Sequence, residues 1–255
     1  MRFPSRATRL MLLVGMLLAC AAPLSVWAPP ARAEEFTPAQ RAEIVAIVRE
    51  ALKRDPSILR DAVVALQADD GEREKSESRA AVSSARDALV NSNDPIGGNP
   101  HGNVTIVEFF DVRCPYCRKL EPEMAALLAS DHDVRLVYKD LPILGPASVL
   151  GTKALLAARK QNAYEKLRDV VMRMPPDITR AALETEAKKL GLDSARLLRD
   201  MDDPSIQQQI ETNLRLAKQL NIQGTPAMVV GDDLLPGAVD SVELKQAVAE
   251  ARAKK

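Results

Sequence analysis

The sequence predicts an α/β domain with an inserted block of helices, preceded by a separate N-terminal helical segment. Three observations predict it. Val104 to Phe110, VTIVEFF, is β-branched and aromatic on both faces, as a strand covered from both sides must be. The pattern that follows runs strand, helix, strand, then helices only from Ser148 to about Gln219, then two short strands and a last helix. That order describes an α/β domain with a helical insertion, here at about 148–220. A stretch dense in turn residues, Asn91 to Gly102 (NSNDPIGGNPHG), separates this domain, 91–255, from the helices ahead of it.

The first 33 residues read as a leader. Arg2, Arg6 and Arg9 precede an apolar run from Leu10 to Leu18, and Ala31-Arg32-Ala33 stands just before Glu34. A basic start, a short apolar core and a small-x-small site describe a secretory signal peptide over 1–33 and export from the cytoplasm. The run is too short, and too closely followed by prolines, to span a membrane. Leu17-Leu18-Ala19-Cys20 loosely resembles the acylation box of bacterial lipoproteins, so lipid anchoring through Cys20 is the competing expectation. Residues 1–33 hold four of the 35 basic residues and no acidic one, leaving 31 against 35 and a net charge of −4. So weak an acidity gives no ground for nucleic acid or an anionic membrane as partner.

Residues 34–90 read as helical. Pro38 stands near a helix start, and Ile44, Ile47, Val48, Ala51 and Leu52 share one face. Asp55 as N-cap and Pro56 at the first helical position open a second helix whose stripe is Ile58, Leu59, Ala62, Val63 and Leu66. From Ala68 to Arg79 the chain is charged, holds Gly71 and has little to bury; Ala80 to Leu89 reads as a small-residue helix carrying Val82, Ala85 and Leu89. Two short amphipathic helices cannot bury their own stripes. Docking on the main domain would cover them; self-association is the preferred reading and makes residues 36–90 a homo-oligomerisation segment, with a trimer as the candidate state.

In the main domain, Leu120, Met124, Leu127 and Leu128 mark a helix after the first strand, and Val134 to Tyr138 a second strand. Helices are expected over Ala154–Arg159, Ala163–Met172, Thr179–Leu190, Asp193–Met201 and Ser205–Leu220. Strands return at Ala227–Val230 and, after a Gly231-Asp232-Asp233 turn, at Leu234-Leu235. Ser241 is expected to cap a last helix to Ala251.

Once Cys20 is removed with the leader, two cysteines remain, Cys114 and Cys117, three positions apart. Structural zinc needs four soft ligands, and beyond this pair the chain offers only His101 and His132. No metal site is therefore expected, although two thiolates could hold Cu(I). A structural disulfide closing so small a loop would remove little chain entropy. Redox chemistry fits better. Cys114 falls where a strand hands over to a helix, and the unpaired N–H groups and dipole of a helix N-terminus favour a thiolate. Pro115 opens the helix without losing a hydrogen bond. Cys117, one turn on, can attack a mixed disulfide formed by Cys114, and Cys114 is expected to be the more exposed thiol. Tyr116 is neutral where an imidazolium would stabilise the thiolate further, so a milder oxidant is expected. Arg113, Arg118 and Lys119 add positive charge or serve as solvated surface.

Cys114-Pro115-Tyr116-Cys117 after VEFF, together with GTPAMVV from Gly224, resembles the DsbA family of thioredoxin-fold thiol:disulfide oxidoreductases. The resemblance implies a thioredoxin fold with an inserted helical domain and no cofactor beyond a Cys114–Cys117 disulfide. It also implies a cis bond at Thr225-Pro226, in a loop that binds the substrate chain beside Pro115 and Tyr116. Pro226 lies 112 residues beyond Cys114, which leaves room for the insertion. FTPAQRAEIVAIVREALKRDPSIL, GNPHGNVTIVEFFDVRCPYC and KDLPILGPAS further resemble the ScsC-type branch, linked to disulfide shuffling and copper tolerance and carrying an N-terminal helical segment that can assemble subunits. Glu108 alternates with Val104, Ile106 and Phe110 and matches the family's acid beneath the active site, where it would relay the proton of Cys117; a half-exposed strand-end glutamate is the alternative, and Lys139 is a candidate partner. The implied activity is disulfide isomerase or reductase work on periplasmic proteins with cysteines, reset by a membrane redox partner. A DsbA-type oxidase, or a non-enzymatic Cu(I)-binding protein, is the alternative.

Overall fold

The computed structural model describes residues 36–254; the leader, its cleavage site and Cys20 lie outside the described residues. Two compact units divide the chain, one ending at Arg60 and one beginning at Asp61. In the first, helix α1 (Pro38–Arg54) opens on a capping box: the Thr37 hydroxyl accepts the Gln40 N–H at 3.3 Å while the Thr37 N–H donates to Gln40 Oε1 at 2.9 Å. Asp55 ends α1, and its carboxylate accepts the Ser57 N–H at 3.0 Å to start α2 (Ser57–Ser84). No residue of α1 is buried.

Helix α2 runs unbroken through the charged stretch 68–79, where no apolar stripe marks a helix. Helical spacing there is supported by charge instead of burial: Arg73 pairs with Asp70 at 2.8 Å, and Lys75 with Glu72 at 3.0 Å. The one Gly71 costs about 1 kcal/mol against alanine. After α3 (Arg86–Leu89), Val82, Ala85 and Leu89 prove to be buried among Val107, Phe109, Val137, Leu216 and Leu220. Residues 80–89 are thus core of the large unit, and the helical segment read over 34–90 divides within its own length.

The large unit is built on a five-stranded sheet in the order β1-β3-β2-β4-β5. β2 (Val104–Phe110) lies at its centre, parallel to β3 (Val134–Asp140) and antiparallel to β4 (Ala227–Val230); β5 (Asp233–Pro236) and the three-residue β1 (Ile96–Gly98) form the edges. β1 escaped the sequence reading because it lies within the turn-rich boundary and ends on Gly98 at φ +63°. Alternation along β2 sends Ile106, Glu108 and Phe110 to one face and Val107 and Phe109 to the other. The first face is covered by α4 (Pro115–Ser130), by part of the inserted helices α5 (Pro146–Arg159), α6 (Tyr164–Val171), α7 (Arg180–Lys189) and α8 (Ser194–Asp200), and by α10 (Ser241–Ala253). The second takes α9 (Pro204–Gln219) through Leu216 and Ala217, and the end of α2. Asp240, not Ser241, caps α10. Its carboxylate accepts the N–H groups of Val242 and Glu243 at 2.9 Å each, a reach that requires the cap to stand one residue ahead.

Candidate active site

The β2–α4 turn places the two cysteines. Cys114 is the extended residue before α4, and Pro115 is the first helical position, where no N–H is needed. The turn is held by Asp111, which sequence reasoning passed over. Its fully buried carboxylate accepts the N–H of Arg113 (2.8 Å), Ile143 (2.8 Å) and Leu144 (3.0 Å) and the hydroxyl of Ser148 (2.8 Å). One side chain thereby ties the start of α4 to the loop after β3. The Arg113 guanidinium donates to the carbonyls of Pro176 and Leu144, so this cation is a loop clamp and not free surface charge.

Cys114 and Cys117 are both buried, at 4% and 0% exposure, so the expected difference in access is small. The Cys114 thiol donates to the Thr225 carbonyl at 3.1 Å, and Thr225-Pro226 is cis. Tyr116 is exposed, as are Ile143 and Leu144. The contact of Cys114 with Thr225 thus brings the Cys114-Pro115-Tyr116-Cys117 turn and the Thr225-Pro226 loop to one place. Burial pushes the Cys117 thiol far above its ordinary range, and the charges of Cys114 and Glu108 add to this; the Asp111 backbone and the Thr225 side chain act against it.

Glu108 is fully buried on the central strand. Burial raises its carboxyl to about 7, Arg168 pulling it down and Glu121 pushing it up. Its partner is Arg168 of α6, Nη2 to Oε2 at 3.3 Å, not Lys139. The register explains the correction: Glu108 stands opposite Tyr138, and Lys139, one residue on, points to the other face. There Lys139 pairs with Asp94 at 2.7 Å and donates to the Ala88 carbonyl at 2.8 Å. Arg168 also grips Glu121 of α4 with both nitrogens, at 2.7 and 2.6 Å, and lies 4.5 Å from the ring centres of both Phe110 and Tyr138. Nothing in the local sequence around Arg168 marks it; the strong amphipathicity of α6 reads there as an ordinary charged face. Among the described residues no three His, Cys, Asp or Glu side chains converge as a metal site would require.

The comparisons with known proteins point the same way. A DSBA-like thioredoxin domain matches residues 105–249, and the Copper resistance protein ScsC N-terminal domain matches residues 40–73. Among solved structures, a thioredoxin-like oxidoreductase from Silicibacter pomeroyi is 43% identical, with 66% of this chain and 98% of that one covered and a TM-score of 0.64. Proteus mirabilis ScsC in a transitional conformation is 31% identical, with 86% and 98% covered and a TM-score of 0.63. The thiol:disulfide interchange protein DsbA of Bordetella parapertussis is 31% identical over 158 residues, 56% of this chain and 70% of that one. The chain also matches Na(+)/H(+) antiporters of Salinispora species, of whose length it spans 24%. A central strand leading into a buried Cys-Pro-Tyr-Cys turn, a cis-proline loop against its first thiol and a family match over more than half the sequence together place this chain in the DSBA-like thioredoxin domain family.

Proposed function

We propose that the chain is an exported thiol:disulfide oxidoreductase acting on periplasmic proteins, with Cys114 as nucleophile and Cys117 as resolving thiol. The observation that carries this reading is the contact of the Cys114 thiol with the carbonyl of Thr225, in the loop that would receive a substrate strand. A thiolate at Cys114 attacks a substrate disulfide, forming a mixed disulfide and releasing one substrate thiol. Cys117 then gives its proton to Glu108 and attacks Cys114. The Cys114–Cys117 bond forms, the substrate sulfur leaves with the bonding electrons and takes a proton from solvent, and Glu108 returns its own proton to solvent. Run backwards, the same steps oxidise a substrate dithiol. A membrane redox partner would reset the pair.

Within this class the reading is an isomerase or reductase. α1 and the first part of α2 hold Ile44, Ile47, Val48, Leu52, Ile58 and Leu59 in solvent, and the match to an ScsC N-terminal domain over residues 40–73 supports self-association there. A homo-oligomer, with a trimer as the candidate state, sets several dithiols around one substrate and favours repeated capture of misbridged chains. The test is refolding of a scrambled multi-disulfide protein by the mature chain, run beside its mass in solution; failure to reshuffle, with oxidation of dithiols intact, would make it a DsbA-type oxidase instead. A second reading, Cu(I) held by the two thiolates, draws on the copper resistance named for the N-terminal match. Stoichiometric Cu(I) uptake without turnover of disulfides would favour it.

A further inference from the structure

We propose that Arg168 and Glu121 form a positioning clamp that sets how readily Glu108 takes the proton of Cys117 and so governs the step that resolves a mixed disulfide. This rests on the proposed role of Glu108 and adds two residues to it.

The geometry is a competition of two carboxylates for one guanidinium. Glu121 lies one helical turn after Cys117 on α4, so the thiol and this carboxylate share a helix face. Arg168 gives Glu121 the better share: two bonds of 2.7 and 2.6 Å, against one of 3.3 Å to Glu108. The rings of Phe110 and Tyr138, each 4.5 Å from the guanidinium carbon, hold it in place. Glu108 is therefore loosely gripped, and its Oε1 is buried without a hydrogen-bond partner among the described residues. That oxygen is free to take a proton. Arginine keeps its own proton throughout and acts only by charge and position.

Every element packed around Glu108 agrees with this assignment. α4 contributes Cys117 and Glu121, α6 contributes Arg168, β3 contributes Tyr138, and Met228, opposite on β4, carries no charge. Asp140, Tyr164 and Glu165 bear on Arg168. The two clamp residues act on Glu108 with opposite sign. Removing the charge of Glu121 frees Arg168 for Glu108 and takes away a like charge, so Glu108 ionises at lower pH. Removing Arg168 leaves a buried carboxylate beside another, so it ionises at higher pH.

The experiment uses the full mature chain and a nitro-aromatic disulfide: the Cys114 thiolate attacks its S–S bond, releasing one aromatic thiolate and keeping the other half as a mixed disulfide on Cys114. Cys117 loses its proton to Glu108 and attacks Cys114 Sγ; the Cys114–Cys117 bond forms, the aromatic thiolate departs with the electron pair, and its absorbance gives the rate. In the parent this rate should rise with pH as Glu108 ionises. The midpoint of that rise should fall by about one pH unit in Glu121→Gln and climb by about one in Arg168→Gln, with Arg168→Lys between Arg168→Gln and the parent. A purely structural role would move both variants the same way. Shifts of one sign, or none, overturn the clamp. Should Arg168→Gln fail to fold, Glu121→Gln decides alone, and an unmoved or raised midpoint overturns it. Glu108→Gln separates the two readings: if it abolishes the rise while the clamp variants leave the midpoint fixed, only the clamp fails, and if it leaves the rise intact, the role of Glu108 fails and the clamp with it.

Discussion

The Cys114 thiol meets the carbonyl oxygen of Thr225 at 3.1 Å across 111 residues of sequence, so the first cysteine and the cis-proline loop form one surface. A substrate strand lying along that loop would bring its sulfur to Cys114 before any other group. Cys117, one turn along α4 and with its thiol pushed far above its ordinary range by burial, is suited to act on a sulfur already attached to Cys114.

Cys117→Ala should accordingly accumulate a mixed disulfide with a cysteine-containing peptide, while Cys114→Ala should capture at least tenfold less under the same conditions. Mass spectrometry of the quenched protein reads the adduct directly. Capture by Cys114→Ala at a rate near that of Cys117→Ala would reverse the assignment of nucleophile and resolving thiol.

Glu108 carries a pH dependence of stability with a definite sign. Its folded carboxyl is raised to about 7 from an ordinary 4.5, so folding favours the protonated form. The stability this gives is fully present below about 4.5 and is lost as pH rises through 7. Glutamine mimics the protonated state, so Glu108→Gln should be more stable than the parent at pH 7.5, by on the order of 3 kcal/mol. The advantage should vanish toward pH 4.5. Asp140, also raised to about 7 by burial, adds the same slope to both proteins and cancels in the comparison. Urea titrations of the reduced proteins at several pH values measure the difference, and a variant less stable than its parent at pH 7.5 contradicts the sign.

Lys139 and Asp94 make the sharper test of a buried ion pair. Their side chains are 0% and 1% exposed, and Asp94 also accepts the Asn91 N–H at 2.9 Å. Lys139→Met would strand the Asp94 carboxylate and should cost about 3–5 kcal/mol. Adding Asp94→Leu should restore most of that loss, since two well-packed apolar groups carry no uncompensated charge. Chemical denaturation of the single and double variants decides it; a double variant no better than Lys139→Met would mean that the pair's packing, and not its charge, is what the fold needs.

How far the sequence could be read depended on how local each signal was. VTIVEFF and the helical stripes around Leu120 and Met124 carry their burial in their own spacing, and the order of elements along the chain followed from them. The edge strand at Ile96 carries no such signal, because three residues paired on one side show no alternation. The charged run of α2 is a helix held by pairs between its own side chains, which a search for apolar stripes overlooks. In the site, Cys-Pro-Tyr-Cys and Thr225-Pro226 are short contiguous patterns. Arg168 and Asp111 matter through partners distant in the chain, such as Glu121, 47 residues from the first, and Ile143, 32 residues from the second. Lys139 misled because one step along a strand reverses the face, and a pairing between neighbouring strands cannot be told from sequence without the register.

The exposed stripe of α1 and early α2 carries the last prediction. Ile44, Ile47, Val48, Leu52, Ile58, Leu59, Val63 and Leu66 are between 37% and 64% exposed. Each such side chain gains roughly 1.5–3 kcal/mol on full burial, so covering what is now half exposed is worth on the order of 10 kcal/mol per chain. Association of copies costs a comparable amount in lost freedom, and several chains sharing one seam can exceed it. Light scattering of the mature chain at micromolar concentration should therefore give a multiple of the monomer mass. Ile47→Glu combined with Leu59→Glu should give a monomer, because two charges in the seam cannot be buried unpaired. That monomer should turn over a small aromatic disulfide at the parent's rate, since both substitutions lie in residues before the cysteine-bearing unit. It should lose most of its ability to reshuffle a scrambled substrate. A parent that runs as a monomer removes the basis for self-association, and a monomeric variant that reshuffles as well as the parent would separate assembly from isomerase work.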